Sequence, residues 1–228
     1  LYVFTVVDAT EVDTYDELIQ NLEAGTPVIL TANIAEPTDR SESKITLDPN
    51  GVSSINASTD YEQGHQGDLT LYAMLDFNGF TITCASDTGW GIQVCTGAYL
   101  TLRDSSGNNG GFVGTNTGDS ALISVKFGGQ IVIYGGSYVT QGVESDIYVC
   151  GDGNVTIFDG YFADGSLEDA YGELLNLYNS SVSGSITVYG GQYLNYDPST
   201  GDDQKDGSFV ASGYQVTSET VEGGTLYT

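Results

Sequence analysis

Basic side chains are nearly missing from this sequence: 5 Lys plus Arg and one His stand against 31 Asp plus Glu in 228 residues, a formal charge of −26. A surface of that sign repels the phosphate backbone, which nucleic-acid binders neutralise with Lys and Arg, and it repels anionic lipid headgroups for the same reason. Nucleic acid is therefore not expected as a partner. Long apolar runs are absent too, and without about 18 consecutive apolar residues no helix inserts across a bilayer. Cysteine is scarce: Cys84, Cys95 and Cys150 are odd in number, cannot all pair within one chain, and do not form a disulfide framework. Neither an initiating Met nor a signal-peptide pattern precedes Leu1, as expected of a processed chain or a segment of a longer protein.

Glycine, tyrosine, serine and threonine are what the chain has in quantity, with 31 Gly and 16 Tyr. Charged residues make up only 16% of it, so it is not a disordered acidic tail. Its length suits one domain with one core, and its composition reads as all-β with many turns. Net charge this far from zero strains a compact body, which favours an elongated fold or one that binds cations.

Internal periodicity is the strongest signal. Four segments align: IQVCTGAYLTL at 92–102, ISVKFGGQIVI at 123–133, IYVCGDGNVTI at 147–157, and LNLY followed by a longer turn and SITV at 175–188. Each has an apolar-x-apolar strand, a Gly-bearing turn and a second apolar-x-apolar strand. Three then run through a small-residue pair to an aromatic, at Tyr138, Phe162 and Tyr193. Unit starts are 31, 24 and 28 residues apart, so strands keep register while one loop per turn varies, as in solenoids. Because residues i and i+2 share a strand face, Ile92, Val94, Leu100 and Leu102 point inward and their counterparts stack on them at about 4.8 Å.

Upstream, 75–82 reads as an earlier rung with an Asn-Gly turn, and 26–34 as a first strand pair. Segment 13–25 is the one helix expected, with Thr14 as N-cap, Glu17 at the capping-box position, Gly25 as the stop, and Tyr15, Leu18, Ile19 and Leu22 on one face. Such a helix would lid an otherwise open core. The strings TPVILTANI, LDFNGFTIT, GAYLTLRDSSG and ITVYGGQY, in this order after a helix, resemble the pectate-lyase-like β-helix superfamily, especially non-catalytic β-helices of bacterial surface proteins and phage fibres. The likeness covers about 13–195. It implies a right-handed parallel β-helix with three strands per turn: 1–25 an N-terminal strand and capping helix, 26–195 the rungs, and 196–228 an acidic loop and C-terminal cap, with short closing strands at 209–216 and 224–227.

Candidate chemistry is thin. Asp104 and Asp159 share one repeat position two rungs apart, about 10 Å along the stack, against the ~6.5–9.5 Å of paired carboxylates in inverting glycosidases. Asp is also an ordinary turn residue, and Gly135 fills the position between them. Polyuronate lyases of the resembled superfamily use carboxylate-held calcium and an Arg or Lys base. Here only Arg40, Arg103, Lys44, Lys126 and Lys205 exist; Arg103 faces outward with no matching acidic cluster expected on its face. Cys95 and Cys150 share a turn position with Lys126 between them, too far apart for a disulfide, while a Cys84–Cys95 pair stays open; His65 sits in a polar loop. Asp197, Asp202, Asp203 and Asp206 crowd one loop without a known calcium-loop spacing, and calcium is the one cofactor they leave open. Sequons stand at Asn56, Asn154 and Asn179.

Tyr134, Tyr148 and Tyr189, with Phe158 at the position shared by Tyr134 and Tyr189, alternate with inward residues and are expected on the outside, where aromatics suit sugar stacking or protein packing. The sequence thus points to a non-enzymatic structural or adhesive β-helix on a virion or cell surface. Its expected partners are copies of itself, other surface proteins, or carbohydrate; the alternative is a polysaccharide hydrolase or lyase using Asp104 and Asp159.

Overall fold

The computed structural model describes residues 8–37, 45–55, 61–84, 91–115, 121–141, 145–164, 174–178, 183–201 and 207–228. Strand β1 (Thr10–Val12), helix α1 (Tyr15–Glu23), β2 (Val28–Leu30) and β3 (Ile34–Ala35) begin a coil. It continues through β4 (Ile45–Leu47), a single helical turn α2 (Tyr61–Gly64), β5 (Leu71–Asp76) and β6 (Thr81–Cys84). The next turn is β7 (Ile92–Val94), β8 (Ala98–Arg103) and β9 (Gly111–Gly114). Two turns follow as β10 (Ala121–Lys126) with β11 (Gln130–Thr140), and β12 (Ser145–Cys150) with β13 (Asn154–Asp164). The last is β14 (Leu175–Leu177), β15 (Ser185–Val188) and β16 (Gln192–Leu194), and the chain ends on β17 (Ser218–Val221) and β18 (Gly224–Tyr227).

Like strands of successive turns pair in parallel, which makes the fold a parallel β-solenoid. A five-stranded sheet runs β14-β12-β10-β7-β4, and the other strands form a 13-stranded sheet. The repeat fixes the register residue by residue. Ile92, Ile123, Ile147 and Leu175 lie side by side, as do Leu102, Ile133, Ile157 and Val188, and all eight are buried. β4 supplies a rung not anticipated from sequence: Ile45 and Leu47 stack on Ile92 and Val94, but three residues are too few for alternation to show.

Asn78 (φ 49°) and Gly79 (φ 83°) form a tight left-handed turn, the residue pair most typical of β-hairpins. No hairpin results: β5 pairs with β2 and β8, whereas β6 pairs with β3 and β9. The turn is a corner, bonded to the rungs on either side. Asn78 Nδ2 donates to Leu30 O (3.1 Å), and Gly79 N–H donates to Asp104 Oδ1 (2.8 Å).

At the corresponding corner two coils on, Gly135 (φ 154°) and Gly136 (φ 109°) break the pairing register between Tyr134 and Ser137. The slip changes the parity of the strand. Ile131 and Ile133 face the core, and so does Tyr138, which strict alternation from Ile133 would turn outward. Phe77, Phe112, Tyr138, Phe162 and Tyr193 consequently form a buried aromatic column. Phe162 stacks on Tyr138 (4.9 Å between centroids, 11°) and on Tyr193 (5.0 Å, 6°). Both buried phenols donate to the corner carbonyl three residues earlier, Tyr138 to Gly135 (3.0 Å) and Tyr193 to Gly190 (3.1 Å), so neither hydroxyl goes unsatisfied.

Both ends of the coil are covered. The helix starts at Thr14, whose side chain accepts from Glu17 N–H, while Glu17 Oε2 accepts from Asp13 N–H. Leu18 and Leu22 are fully buried as α1 packs across β4 and β5, and Gly25 (φ 74°) ends it. At the far end β18 runs antiparallel to both β16 and β17. Of the closing segments, 209–216 contributes a parallel bridge from Val210 to Val188 rather than a strand, and the second closing strand forms as β18.

Candidate functional site

Outward positions at the β8–β9 corner and its counterparts stand one strand spacing apart, so their side chains form a ladder. It begins with an ion pair. Asp76 is fully buried and Arg103, its neighbour in register, is half-buried. Arg103 Nη2 and Nε reach Asp76 Oδ2 at 2.6 and 2.8 Å, and Asp76 Oδ1 accepts from Asn78 and Ser105 N–H. Sequence gives Arg103 no acidic cluster on its face, and what it meets is a single carboxylate. The partner lies 27 residues back, one coil away, where no local pattern reveals it.

Aromatics continue the ladder. Tyr134 stacks on Phe158 (5.2 Å, 6°) and Phe158 on Tyr189 (5.0 Å, 16°); the three rings are 46%, 42% and 37% exposed. Their near-parallel planes mean that the stack covers both faces of Phe158 and one face each of Tyr134 and Tyr189, and that the row turns mainly ring edges to solvent. A sugar stacks on a ring face, so this strip offers it little, while edges and phenol hydroxyls in a row suit packing against protein. Tyr214 breaks the pattern: it meets Tyr189 at 5.3 Å and 88°, and at 53% exposure keeps a face that Tyr189 does not cover.

Tyr148 does not join this set. It lies on β12, in the five-stranded sheet, beside Tyr178 (5.8 Å, 30°). Alternation assigns a side chain to the outer face but cannot say to which sheet's outer face. A second exterior pair went unnoticed: Tyr72, 70% exposed, stacks on Tyr99 (4.9 Å, 22°). Its signal is Leu71-Tyr72 matching Ala98-Tyr99 at the start of two paired strands.

Asp104 and Asp159 occupy different surroundings. Asp104 Oδ1 accepts from Gly79 N–H (2.8 Å), Ser106 N–H (3.2 Å) and Ser106 Oγ (2.8 Å), and Oδ2 accepts from Gly110 N–H (2.9 Å). It ties its own loop to the preceding corner. Partial burial pushes its pKa up, but these four bonds outweigh burial and bring it below the usual carboxyl range. A general acid needs the opposite shift. Asp159 is exposed, and its Oδ1 accepts from Gly160 N–H (2.8 Å).

Cys95 and Cys150 are both buried, and Lys126 lies in register with Cys150. Segment 48–55 lies over Cys95 and Lys126. Val52 packs with Cys95 and Phe127, and Lys126 Nζ donates to the carbonyls of Ser53 and Ile55, 5.4 Å over the Phe127 ring. Asp48 holds the segment's shape by accepting from Val52 and Ser53 N–H. Burial pushes the Cys95 thiol up to about 12 and that of Cys150 to about 11, and all three cysteines are free. His65 Nε2 contacts Asp152 Oδ1 (2.7 Å) and its ring meets Phe127 edge-on.

Asp197 Oδ1 accepts from Ser199 N–H and Oγ at 2.9 and 2.6 Å, while Asp202, Asp203 and Asp206 lie outside the described residues, as do Arg40, Lys44 and Lys205. Among the described residues no three His, Cys, Asp or Glu side chains are placed to hold a metal, and no helix is long and apolar enough to cross a membrane. Asn154 is bonded within the stack, donating to Asp152 O (2.7 Å) and accepting from Ser185 Oγ (2.8 Å); Asn56 and Asn179 lie outside the described residues. Compared with protein-family models, with curated proteins and with solved structures, this chain matches none.

Proposed function

We propose that this chain is a non-enzymatic structural module of a virion or cell surface: a rigid, acidic β-solenoid that assembles with copies of itself or with other surface proteins through its outer aromatic ladder. The observation that carries this reading is the Tyr134–Phe158–Tyr189 strip, three large rings each more than a third exposed yet mutually aligned. Pre-stacked rings lose little side-chain freedom on docking, and their edges continue as a flat row that a partner surface can cover. The polar side chains best placed for chemistry support the same reading. Asp104 is committed to backbone, Arg103 to Asp76, and Lys126 to carbonyl groups. The −26 charge keeps such a rod soluble and disfavours anionic polysaccharides.

Sedimentation across a concentration series tests it, with the triple variant Tyr134→Ser, Phe158→Ser, Tyr189→Ser beside the parent. Association in the parent that is lost in the variant is expected; a monomer in both removes the assembly reading. Product assays over acidic and neutral polysaccharides, repeated on Asp104→Ala and Asp159→Ala, examine catalysis. Turnover abolished by either change would establish an enzyme instead.

A further inference from the structure

We propose that the cleft at the C-terminal end of the solenoid binds an uncharged oligosaccharide, with Tyr214 as its stacking platform. The cleft is open to solvent, offers about 520 Å³, within the usual range of small-ligand sites, and is lined by Asp197, Ser212, Tyr214, Gln215, Ser218 and Tyr227 among others. This lining combines what a sugar needs: aromatic rings for its C–H face, and a carboxylate, an amide and hydroxyls for its hydroxyl groups.

The floor is held by the coil itself. Val188 N–H donates to Phe209 O and Ala211 N–H to Val188 O, both at 2.8 Å, so 209–211 adds to the edge of β15 as a further course of the stack. Tyr214 N–H donates to Ala211 O (3.0 Å), and Thr217, also in the lining, exchanges both backbone hydrogen bonds with Thr228 at 2.8 and 2.9 Å. Backbone on both sides is thus fixed before a ligand arrives, which lowers the cost of binding.

Ring geometry selects this place over the outer strip. Tyr134, Phe158 and Tyr189 lie face to face, whereas Tyr214 stands at 88° to Tyr189, so a face of Tyr214 remains for a sugar. The ligand class follows from charge: at −26, with Asp197 in the lining, uronates and sialylated glycans are repelled and neutral hexose chains are not.

The site shares only the Tyr189–Tyr214 contact with the outer ladder, and the experiment keeps the two apart by leaving Tyr189 in place. Cello-, malto-, manno- and galacto-oligosaccharides, with oligogalacturonate and sialyllactose as anionic controls, are titrated calorimetrically into the full chain. The same titrations are run on Tyr214→Ala, Gln215→Ala and the double outer-strip variant Tyr134→Ser, Phe158→Ser, which leaves Tyr189 against Tyr214. Binding of at least one neutral series is expected, roughly tenfold or more weaker in Tyr214→Ala, weaker in Gln215→Ala, and unchanged in the double variant. No binding by any neutral series overturns the proposal, as does binding that Tyr214→Ala leaves intact. Loss only in the double variant would place the sugar on the outer strip, against the cleft. Cleavage of a bound neutral sugar with unchanged dependence on Tyr214 would support the cleft while refuting the non-enzymatic reading.

Discussion

Phe162 and Phe158 are four residues apart on β13 and sit in near-identical stacks, one inside the coil and one outside, which lets burial be separated from ring stacking. Phe162 lies between Tyr138 and Tyr193 at 4.9 and 5.0 Å; Phe158 lies between Tyr134 and Tyr189 at 5.2 and 5.0 Å. Replacing a buried Phe by Ala costs about 3–5 kcal/mol, because lost transfer energy adds to an unfilled cavity. Phe162 is fully buried and clamped between two rings, so its loss belongs in the upper half of that range. Phe158 is 42% exposed and leaves a gap that water can enter, so about 1 kcal/mol is expected, mostly the two stacking contacts. With a urea slope of about 2 kcal/mol per M, the midpoint should fall by roughly 2 M for Phe162→Ala and about 0.5 M for Phe158→Ala. Amide exchange in β12 and β13 should rise in the first variant well above the second, which also reads the effect locally if the coils do not unfold together. Equal shifts in the two variants would refute the reasoning, since ring stacking rather than burial would then hold the column.

Removing Asp76 by Ala should cost roughly 3–5 kcal/mol in thermal or urea unfolding, because the Arg103 guanidinium and Ser105 N–H lose their buried acceptor; a change under about 1 kcal/mol would deny the pair its role. Since the folded pKa of Asp104 is depressed, its contribution is full above the unfolded carboxyl range and fades as pH falls through the folded value. The stability gap between parent and Asp104→Asn should therefore narrow on acidification below about pH 4, and a gap that widens there contradicts the assignment. Cys84, Cys95 and Cys150 should resist alkylation in native buffer at mild alkaline pH and react fully in denaturant, because burial keeps all three as thiols. Rapid native labelling at Cys95 would show that segment 48–55 does not cover it. Thr14→Ala should lose about 1 kcal/mol by removing the cap of α1, detectable as earlier exchange in α1 and β4.

The rungs were legible because their period is carried by neighbours in sequence: an apolar pair, a Gly turn, a second apolar pair. Whatever depends on the next coil was not. Asp76 and Arg103 are ordinary residues until the register sets them side by side, and Tyr138 reads as outward until the Gly135–Gly136 slip changes its parity. The Asn78-Gly79 pair carried a true turn signal and the rung read across it forms, although local chemistry fixes only the bend and distant strands decide what pairs on either side of it. For the candidate site, sequence found three of the four outer rings but joined them to Tyr148, and it missed Tyr214, which lies in a closing segment outside the repeat.

The antiparallel return of β18 against β16 bears on how the molecule carries load. Rung-to-rung hydrogen bonds run along the coil axis, so tension between the two ends opens them in peeling order, coil after coil, instead of shearing a whole sheet at once. A hairpin turned against the last parallel strand, with Asn195 bonded to Thr225 and Gly223 across it, clamps the place where peeling would start from that end. The rod should thus resist compression and bending with its filled interior and yield to pulling as a ratchet of small steps, beginning at the helix-capped end.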